Sequence, residues 1–119
     1  MRTMVIQIRT GTMMNMDTNV AVKLAKAASE KGYDVRIFAY GEGVTLIKDG
    51  QEPKRFPNVG AGSKALIEGG SVEISACVTC CAARGLRRGE EIPGMKVGSL
   101  TNDLSRYVAE GDRMVTIAR

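Results

Sequence analysis

The 119-residue chain contains no histidine and no tryptophan, and its aromatic residues are limited to three tyrosines and two phenylalanines. The lack of imidazole excludes a Cys–His catalytic pair. It also leaves three cysteine sulfurs as the available N/S ligands, one fewer than a structural zinc site requires. We therefore expect no metal and no other cofactor. The scarcity of aromatics and the absence of a Lys/Arg-rich run argue against direct nucleic-acid binding.

Long apolar runs are also missing, so we expect no membrane span and no signal peptide. The length suits one domain over residues 1–119, with 44% hydrophobic and 25% charged residues, as in ordinary globular proteins. The net charge of +4 is modest and could help to attract an acidic partner. Three clustered cysteines do not form a disulfide scaffold, and they indicate a reducing, cytoplasmic setting.

All three cysteines lie in one stretch, Val72 to Gly85. Its first six residues alternate apolar and polar side chains, which predicts a strand ending at Cys77. The residues from 78 to 84 contain no Gly or Pro and predict a short helix, with Gly85 as its C′ residue. Cys77 is therefore expected at the carboxyl end of a strand, at or just before a helix N-terminus.

A thiol in that position can act as a nucleophile without a general base, because a helix N-terminus and nearby cations favour the thiolate. Such a site suits sulfur transfer or thiol exchange better than amide hydrolysis, which needs proton transfer to a leaving group. Cys77 is the candidate nucleophile and Cys80, in a CxxC motif, the candidate resolving thiol. The candidate supporting residues are Cys81, Thr79 and Arg84, with Arg87 and Arg88 as further candidate cations.

Strand and helix signals alternate along the whole chain, which predicts an open, mostly parallel sheet of about five strands covered by helices on both faces, a three-layer α/β/α fold. Strands are expected at 4–9, 33–40, 72–77, 95–98 and 112–117. Helices are expected from a cap at Asp17 or Thr18 to residue 31, at 63–68, at 78–84, and from a cap at Ser99 or Thr101 to residue 110. The segment 44–47 could be a short strand or the start of a helix.

Two apolar helix faces are predicted from the three- and four-residue spacing of the side chains. The first helix is expected to bury Val20, Ala21, Leu24, Ala27 and Ala28, and the last helix Leu100, Leu104, Tyr107 and Val108.

Ligands of such folds gather at the carboxyl ends of the strands. The loop after the first strand and the loop after the second are therefore expected beside Cys77, with Gly11, Thr12, Met13 and Gly43 as candidate binding residues. Their glycines lack the spacing of a nucleotide-binding loop. The methionines could form an adaptable surface over the thiol, although ordinary packing explains them equally well.

The strand that ends in Cys77, followed by Val78 and a small-residue helix turn up to Arg84-Gly85, with Gly85 eight residues after the cysteine, resembles the DsrE/DsrF family, which includes TusD-type sulfur carriers. The flanking elements match over nearly the whole chain. The resemblance implies that Cys77 accepts sulfane sulfur as a persulfide and passes it to a partner in a sulfur relay. It also implies donor and acceptor proteins of that relay, and a homo-oligomer (trimer or hexamer) or a hetero-oligomer with paralogous subunits. Cys80 and Cys81 replace the small residues of similar proteins.

Two other interpretations remain open. Cys77 and Cys80 could instead pair as a thiol–disulfide switch or oxidoreductase. Alternatively, the cysteines could be packing residues of a non-catalytic assembly subunit, because cysteine is among the most buried residue types.

Overall fold

The computed structural model describes residues 2–12 and 16–118, and a parallel sheet of five strands lies at its centre. The strands are β1 (Thr3–Ile8), β2 (Asp34–Ala39), β3 (Val72–Cys77), β4 (Lys96–Gly98) and β5 (Arg113–Ile117). Their spatial order is β4-β3-β2-β1-β5, and every pairing is parallel. Helices cover both faces, so the predicted α/β class with a sheet of about five strands is confirmed.

The central strands bury side chains on both faces of the sheet, which explains their nearly continuous apolar sequences. In β3, Ile74 and Ala76 belong to the larger core cluster, whereas Cys77 packs with Val5 and Tyr107 on the opposite face. Side chains alternate along a strand, so this division follows directly from the backbone geometry. The sheet consequently has a core face and a second face, which we call the thiol face.

Two helices, α1 (Asp17–Glu30) and α2 (Val59–Glu68), pack against each other over the core face. The prediction that α2 begins at Ser63 is wrong: Asn58 caps the helix by accepting a hydrogen bond from Ala61 N–H at 3.0 Å. An Asn just before an apolar run is a preferred N-cap, and it allows the helix to begin four residues earlier.

The predicted start and buried face of α1 also need correction. Met16 occupies the N-cap position without a side-chain hydrogen bond, and Asp17 instead accepts from the Thr10 hydroxyl at 3.0 Å. The buried residues of α1 are Thr18, Ala21, Ala25 and Ala28, whereas the predicted Val20 is 52% exposed and Ala27 is exposed. The small Ala25 lets the helix approach the sheet closely, which a spacing pattern centred on the larger Val20 does not anticipate.

A single helical segment covers the thiol face. It starts as a π-helical turn (Leu100–Leu104) and continues as α4 (Ser105–Glu110), and Ser99 caps it as predicted. Tyr107 is fully buried, but Leu100 and Val108 are 39% and 50% exposed, contrary to prediction. The wider π turn contains an extra residue, so the first-turn side chains are displaced from the regular 3.6-residue face.

The remaining helical elements lie near the carboxyl edge of the sheet. A 3₁₀ helix (Gly41–Ile47) follows β2, and the short α3 (Val78–Ala83) follows β3. The open choice at 44–47 thus resolves in favour of a helix. Within the described ranges, none of the helices is both long and apolar enough to cross a bilayer.

Candidate functional site

The strand-to-helix junction at Cys77 has the predicted geometry. Cys77 ends β3 in an extended conformation (φ −66°, ψ 122°) and is the N-cap residue of α3. At the other end, Gly85 has a φ of +74°, and its N–H bonds to Ala82 C=O while Leu86 N–H bonds to Cys81 C=O. This pair of bonds is a Schellman motif, which requires glycine at C′. The motif fixes the C-terminal end of a six-residue helix that would be unstable alone.

Cys77 lies at the base of a small surface pocket of about 280 Å³, which we call the thiol pocket. Its side chain belongs to a buried cluster with residues of β1, β2 and α4, so only 4% of the residue is exposed. Cys80 lines the same pocket and is more accessible. The pocket is lined by Tyr40, Cys77, Val78, Thr79, Cys80, Ser99, Leu100 and Thr101. The structure therefore brings together Cys77, Cys80 and Thr79 of the predicted site.

The environment of Cys80 disfavours its thiolate. Burial raises the pKa of Cys80, and the adjacent Cys77 sulfur adds to that effect. The backbone N–H of Gly41 and the guanidinium of Arg84 act in the opposite direction, but the pKa remains above its usual value. Cys80 is consequently a neutral thiol near pH 7.

Cys81 occupies a different environment although it is next to Cys80 in sequence. It is 1% exposed, belongs to the core cluster and contacts neither solvent nor the thiol pocket. Burial, as the largest cause, raises the pKa of Cys81 to about 11. Such a buried, protonated thiol is inert, so Cys81 serves the packing of α3 against the core face.

Arg84 is bound to the 3₁₀ helix. Its Nε and Nη2 atoms donate to Glu42 Oε1 at 2.9 and 2.6 Å, and its Nη1 donates to Cys80 C=O at 3.0 Å. Glu42 partly neutralises the guanidinium, so Arg84 lowers the pKa values of Cys80 and Cys81 without outweighing burial. Arg84 therefore joins α3 to the residues after β2 and holds the thiol-bearing turn in place.

A second cation lies near the thiol pocket and was missed from sequence. The guanidinium of Arg9 stands 5.8 Å from the centre of the Tyr40 ring, and that ring lines the pocket. Arg9 follows β1 and Tyr40 follows β2, so both lie at the carboxyl edge of adjacent parallel strands. The position of Arg9 directly after the first predicted strand was the signal in the sequence that could have identified it.

The predicted binding loops lie beside a different cavity. Thr12 N–H donates to Thr45 Oγ1 at 3.0 Å, and both residues line a larger pocket of about 530 Å³ that Arg84 also lines. Gly43 is a packing residue, because a Cβ atom there would lie 2.2 Å from Ile8 C=O. Gly11 likewise packs against Glu42. The structure thus separates these residues from the thiol pocket, and Met13 lies outside the described residues.

A buried carboxylate supports the wall of the thiol pocket formed by the residues after β4. Asp103 is 3% exposed, accepts from Ser99 N–H at 2.7 Å and pairs with Lys96 Nζ at 2.6 Å. A Cβ atom on Gly98 would lie 1.9 Å from Asp103 Oδ2, so only glycine fits there. Gly98 is the register partner of Cys77. The carboxylate therefore fixes the start of the π-helical turn that leads into α4, beside the strand partner of the thiol.

Metal ligation finds no support in the geometry. Over residues 2–12 and 16–118, no group of three or more Cys, Asp, Glu or His side chains is arranged to hold an ion. Cys81 packs in the core cluster, whereas Cys77 and Cys80 line the thiol pocket. The three cysteines are close in sequence but therefore do not form such a group.

Together these features define a three-layer α/β domain with a thiol at the carboxyl end of a central parallel strand. The profile of the DsrE/DsrF-like family matches residues 3–117, and the chain belongs to that family. It is 38% identical over 96 residues to the uncharacterized protein MJ0989 of Methanocaldococcus jannaschii, covering 81% of this chain and 82% of that protein. Protein YchN of Escherichia coli is 24% identical over 98 residues, or 82% of each chain.

Solved structures show the same fold. The crystal structure of YchN from E. coli superimposes with a TM-score of 0.87 at 24% identity, covering 98% of this chain and 99% of the other. MTH1491 of Methanobacterium thermoautotrophicum, described as a protein of unknown function, gives 0.74 at 19% identity over 98% and 99% of the two chains. The predicted family and fold are thus confirmed.

Proposed function

We propose that this chain is a sulfur carrier or sulfurtransferase subunit that takes up sulfane sulfur as a persulfide on Cys77. The observation that carries the proposal is the position of Cys77 as N-cap of α3, at the base of the thiol pocket and at the carboxyl end of a central strand. Family membership supports a relay role. Persulfide formation is a reversible modification of a thiolate and needs no general base, in agreement with the absence of histidine.

The burial of Cys77 suits a small cargo. Only 4% of the residue is exposed, so its sulfur is reached through the pocket and not across an open surface. A sulfur–sulfur bond of about 2 Å extends the reactive atom away from the base of the pocket. The outer sulfur of the persulfide is therefore more accessible than the thiol that carries it, which protects the resting thiol and presents the cargo.

Partner binding is supported by exposed apolar side chains on the thiol face. Leu100 lines the pocket and is 39% exposed, and Val108 and Met114 on the same side are 50% and 46% exposed. Apolar side chains left uncovered on one side of a fold are typical of interaction surfaces. We assign this side to a donor or acceptor protein of a sulfur relay, or to other subunits of a homo- or hetero-oligomer. Three free thiols suit a reducing, cytoplasmic compartment.

The test is to load the reduced protein with inorganic polysulfide, remove the excess, and measure the intact mass with and without alkylation. The expected result is one added sulfur that reducing agents remove. Cys77→Ser should abolish uptake, whereas Cys81→Ser, the matched control in the same helix, should retain it. Uptake by Cys77→Ser at the level of the unmodified protein would contradict the assignment. A failure of the unmodified protein to load would contradict the function itself.

A further inference from the structure

The CxxC motif places a second thiol beside the proposed carrier. Cys77 is the N-cap and Cys80 the N3 residue of α3. Side chains at these two positions lie on the same side of the first helical turn, which is why they reach each other's backbone in a capping box. Both cysteines line the thiol pocket, and a hydrogen bond between their side chains contributes to the raised pKa of Cys80. A carrier on a lone cysteine would have no such neighbour.

We propose that Cys80 discharges the persulfide on Cys77 as hydrosulfide, which gives the chain a second activity besides transfer to a partner. This inference rests on the proposed carrier function. The Cys80 sulfur attacks the inner sulfur of the Cys77 persulfide, the bond to the outer sulfur breaks, and a Cys77–Cys80 disulfide forms. The outer sulfur leaves as hydrosulfide and takes the Cys80 thiol proton. The sulfane sulfur is reduced by two electrons and the dithiol is oxidised by two. An external dithiol reductant then restores both thiols.

The pocket geometry also determines which thiol performs the discharge. Cys81 is equally close in sequence, but it packs in the core cluster and does not line the pocket. Thiol exchange requires the attacking sulfur to approach the inner sulfur in line with the sulfur–sulfur bond, on the side opposite the leaving sulfur, and Cys80 is the cysteine that lines the same pocket as Cys77. The raised pKa of Cys80 leaves only a small thiolate fraction for this attack, which slows discharge and favours transfer to a partner. Discharge therefore limits the lifetime of cargo that no acceptor collects.

The experiment compares loaded proteins after removal of polysulfide, without oxygen and without reductant. The unmodified protein should release one hydrosulfide per persulfide, at a rate independent of protein concentration, and lose two hydrogens relative to the reduced chain. Per persulfide loaded, Cys80→Ser should release hydrosulfide at least about a hundredfold more slowly, because a neighbouring thiol has a high effective concentration. Cys81→Ser, the matched control, should discharge at the unmodified rate. Hydrosulfide is measured with a sulfide-trapping reagent and the disulfide by intact mass.

Three outcomes would overturn the discharge proposal while leaving the carrier function intact. One is release by Cys80→Ser at the unmodified rate, and another is loss of release in Cys81→Ser only. A third is a rate that rises in proportion to protein concentration, which indicates attack by a second molecule. Cys80→Ala serves as a second variant, and a thermal unfolding curve confirms that each variant is folded. Failure of all proteins to load would instead contradict the carrier function.

Discussion

The two faces of the sheet are built on different principles. On the core face, α1 and α2 bury a continuous set of aliphatic side chains, including the fully buried Ile6 and Ile74. On the thiol face, one short helical segment covers a smaller apolar cluster around Tyr107, bordered by charged and hydroxyl groups. Burial of aliphatic area is the main source of stability. The comparison indicates that one face holds the fold together, whereas the other positions the thiol pocket.

The polar groups of the thiol face form hydrogen bonds that secure α4. Tyr107 donates its hydroxyl proton to Glu73 Oε2 at 2.7 Å, and Arg106 also binds that carboxylate. One buried hydroxyl, that of Ser75, has no hydrogen-bond partner among the described residues. Aliphatic packing tolerates approximate fits, but polar groups require specific partners. This difference makes the thiol face more sensitive to small changes in geometry.

The largest expected effect comes from neighbouring residues of β3 that point to opposite faces. Ile74→Ala should lower the free energy of unfolding by about 3 kcal/mol, because it leaves a cavity in the aliphatic core. Ser75→Ala should change it by less than about 1 kcal/mol, since it removes an unpaired hydroxyl and leaves no unsatisfied group behind. Urea unfolding checks both. Equal losses at the two positions would contradict the division of the faces.

A smaller effect is expected at Gly98, where an added methyl group would collide with the Asp103 carboxylate. Gly98→Ala should cost about 2 kcal/mol and reduce polysulfide uptake by Cys77, because the start of α4 must move. Gly62→Ala in α2 is the matched control, since its methyl group would meet only one methyl group of Val22, at 3.2 Å, and no carboxylate. If Gly98→Ala leaves both stability and uptake unchanged, the carboxylate does not shape the pocket.

The smallest effect concerns Glu73 and the loss of thermal stability at acid pH. Burial alone would raise the pKa of Glu73, but hydrogen bonds from Tyr107 and Arg106 and the charge of Arg36 lower it overall. Because the pKa of Glu73 is lower in the folded state than its unfolded value of 4.5, the carboxylate stabilises the fold fully when the pH is above 4.5. This contribution is lost as the pH falls through the folded-state pKa. Glu73→Gln should therefore flatten the fall in thermal midpoint below that pH. If the thermal midpoint of the variant falls with pH as steeply as that of the unmodified protein, the hydrogen bonds of Glu73 do not stabilise α4.

Much of the fold and the key junction followed from local patterns. The strand ending in Cys77, the helix stop at Gly85 and the Ser99 cap are encoded by residues adjacent in sequence. The start of α2 was missed although the Asn58 cap is a local signal, whereas the burial of Ala25 was missed because tertiary packing decided it. Only the part of the pocket formed by residues 77–80 could be predicted from the sequence. Tyr40 follows a different strand, and sheet register brings the residues after β4 into the pocket.

The assignment of the loops shows the same limit. Gly11, Thr12 and Gly43 were placed correctly near the carboxyl edge of the sheet, but that edge holds two separate pockets. Arg84, which binds Glu42, lines the larger of the two. Sequence spacing indicates the edge on which a residue lies, not the pocket that it lines.

The most direct measurement of the central claim is the location of the added sulfur in the unmodified, polysulfide-loaded protein. Trypsin cleaves after Lys64 and Arg84, so one peptide contains all three cysteines. Fragments produced by backbone cleavage between Cys77 and Cys80 separate Cys77 from the other two cysteines. We predict that fragments containing Cys77 but neither of the other cysteines carry the extra sulfur in freshly loaded, rapidly alkylated samples. Extra sulfur found only on fragments containing Cys80 or Cys81 would contradict the account.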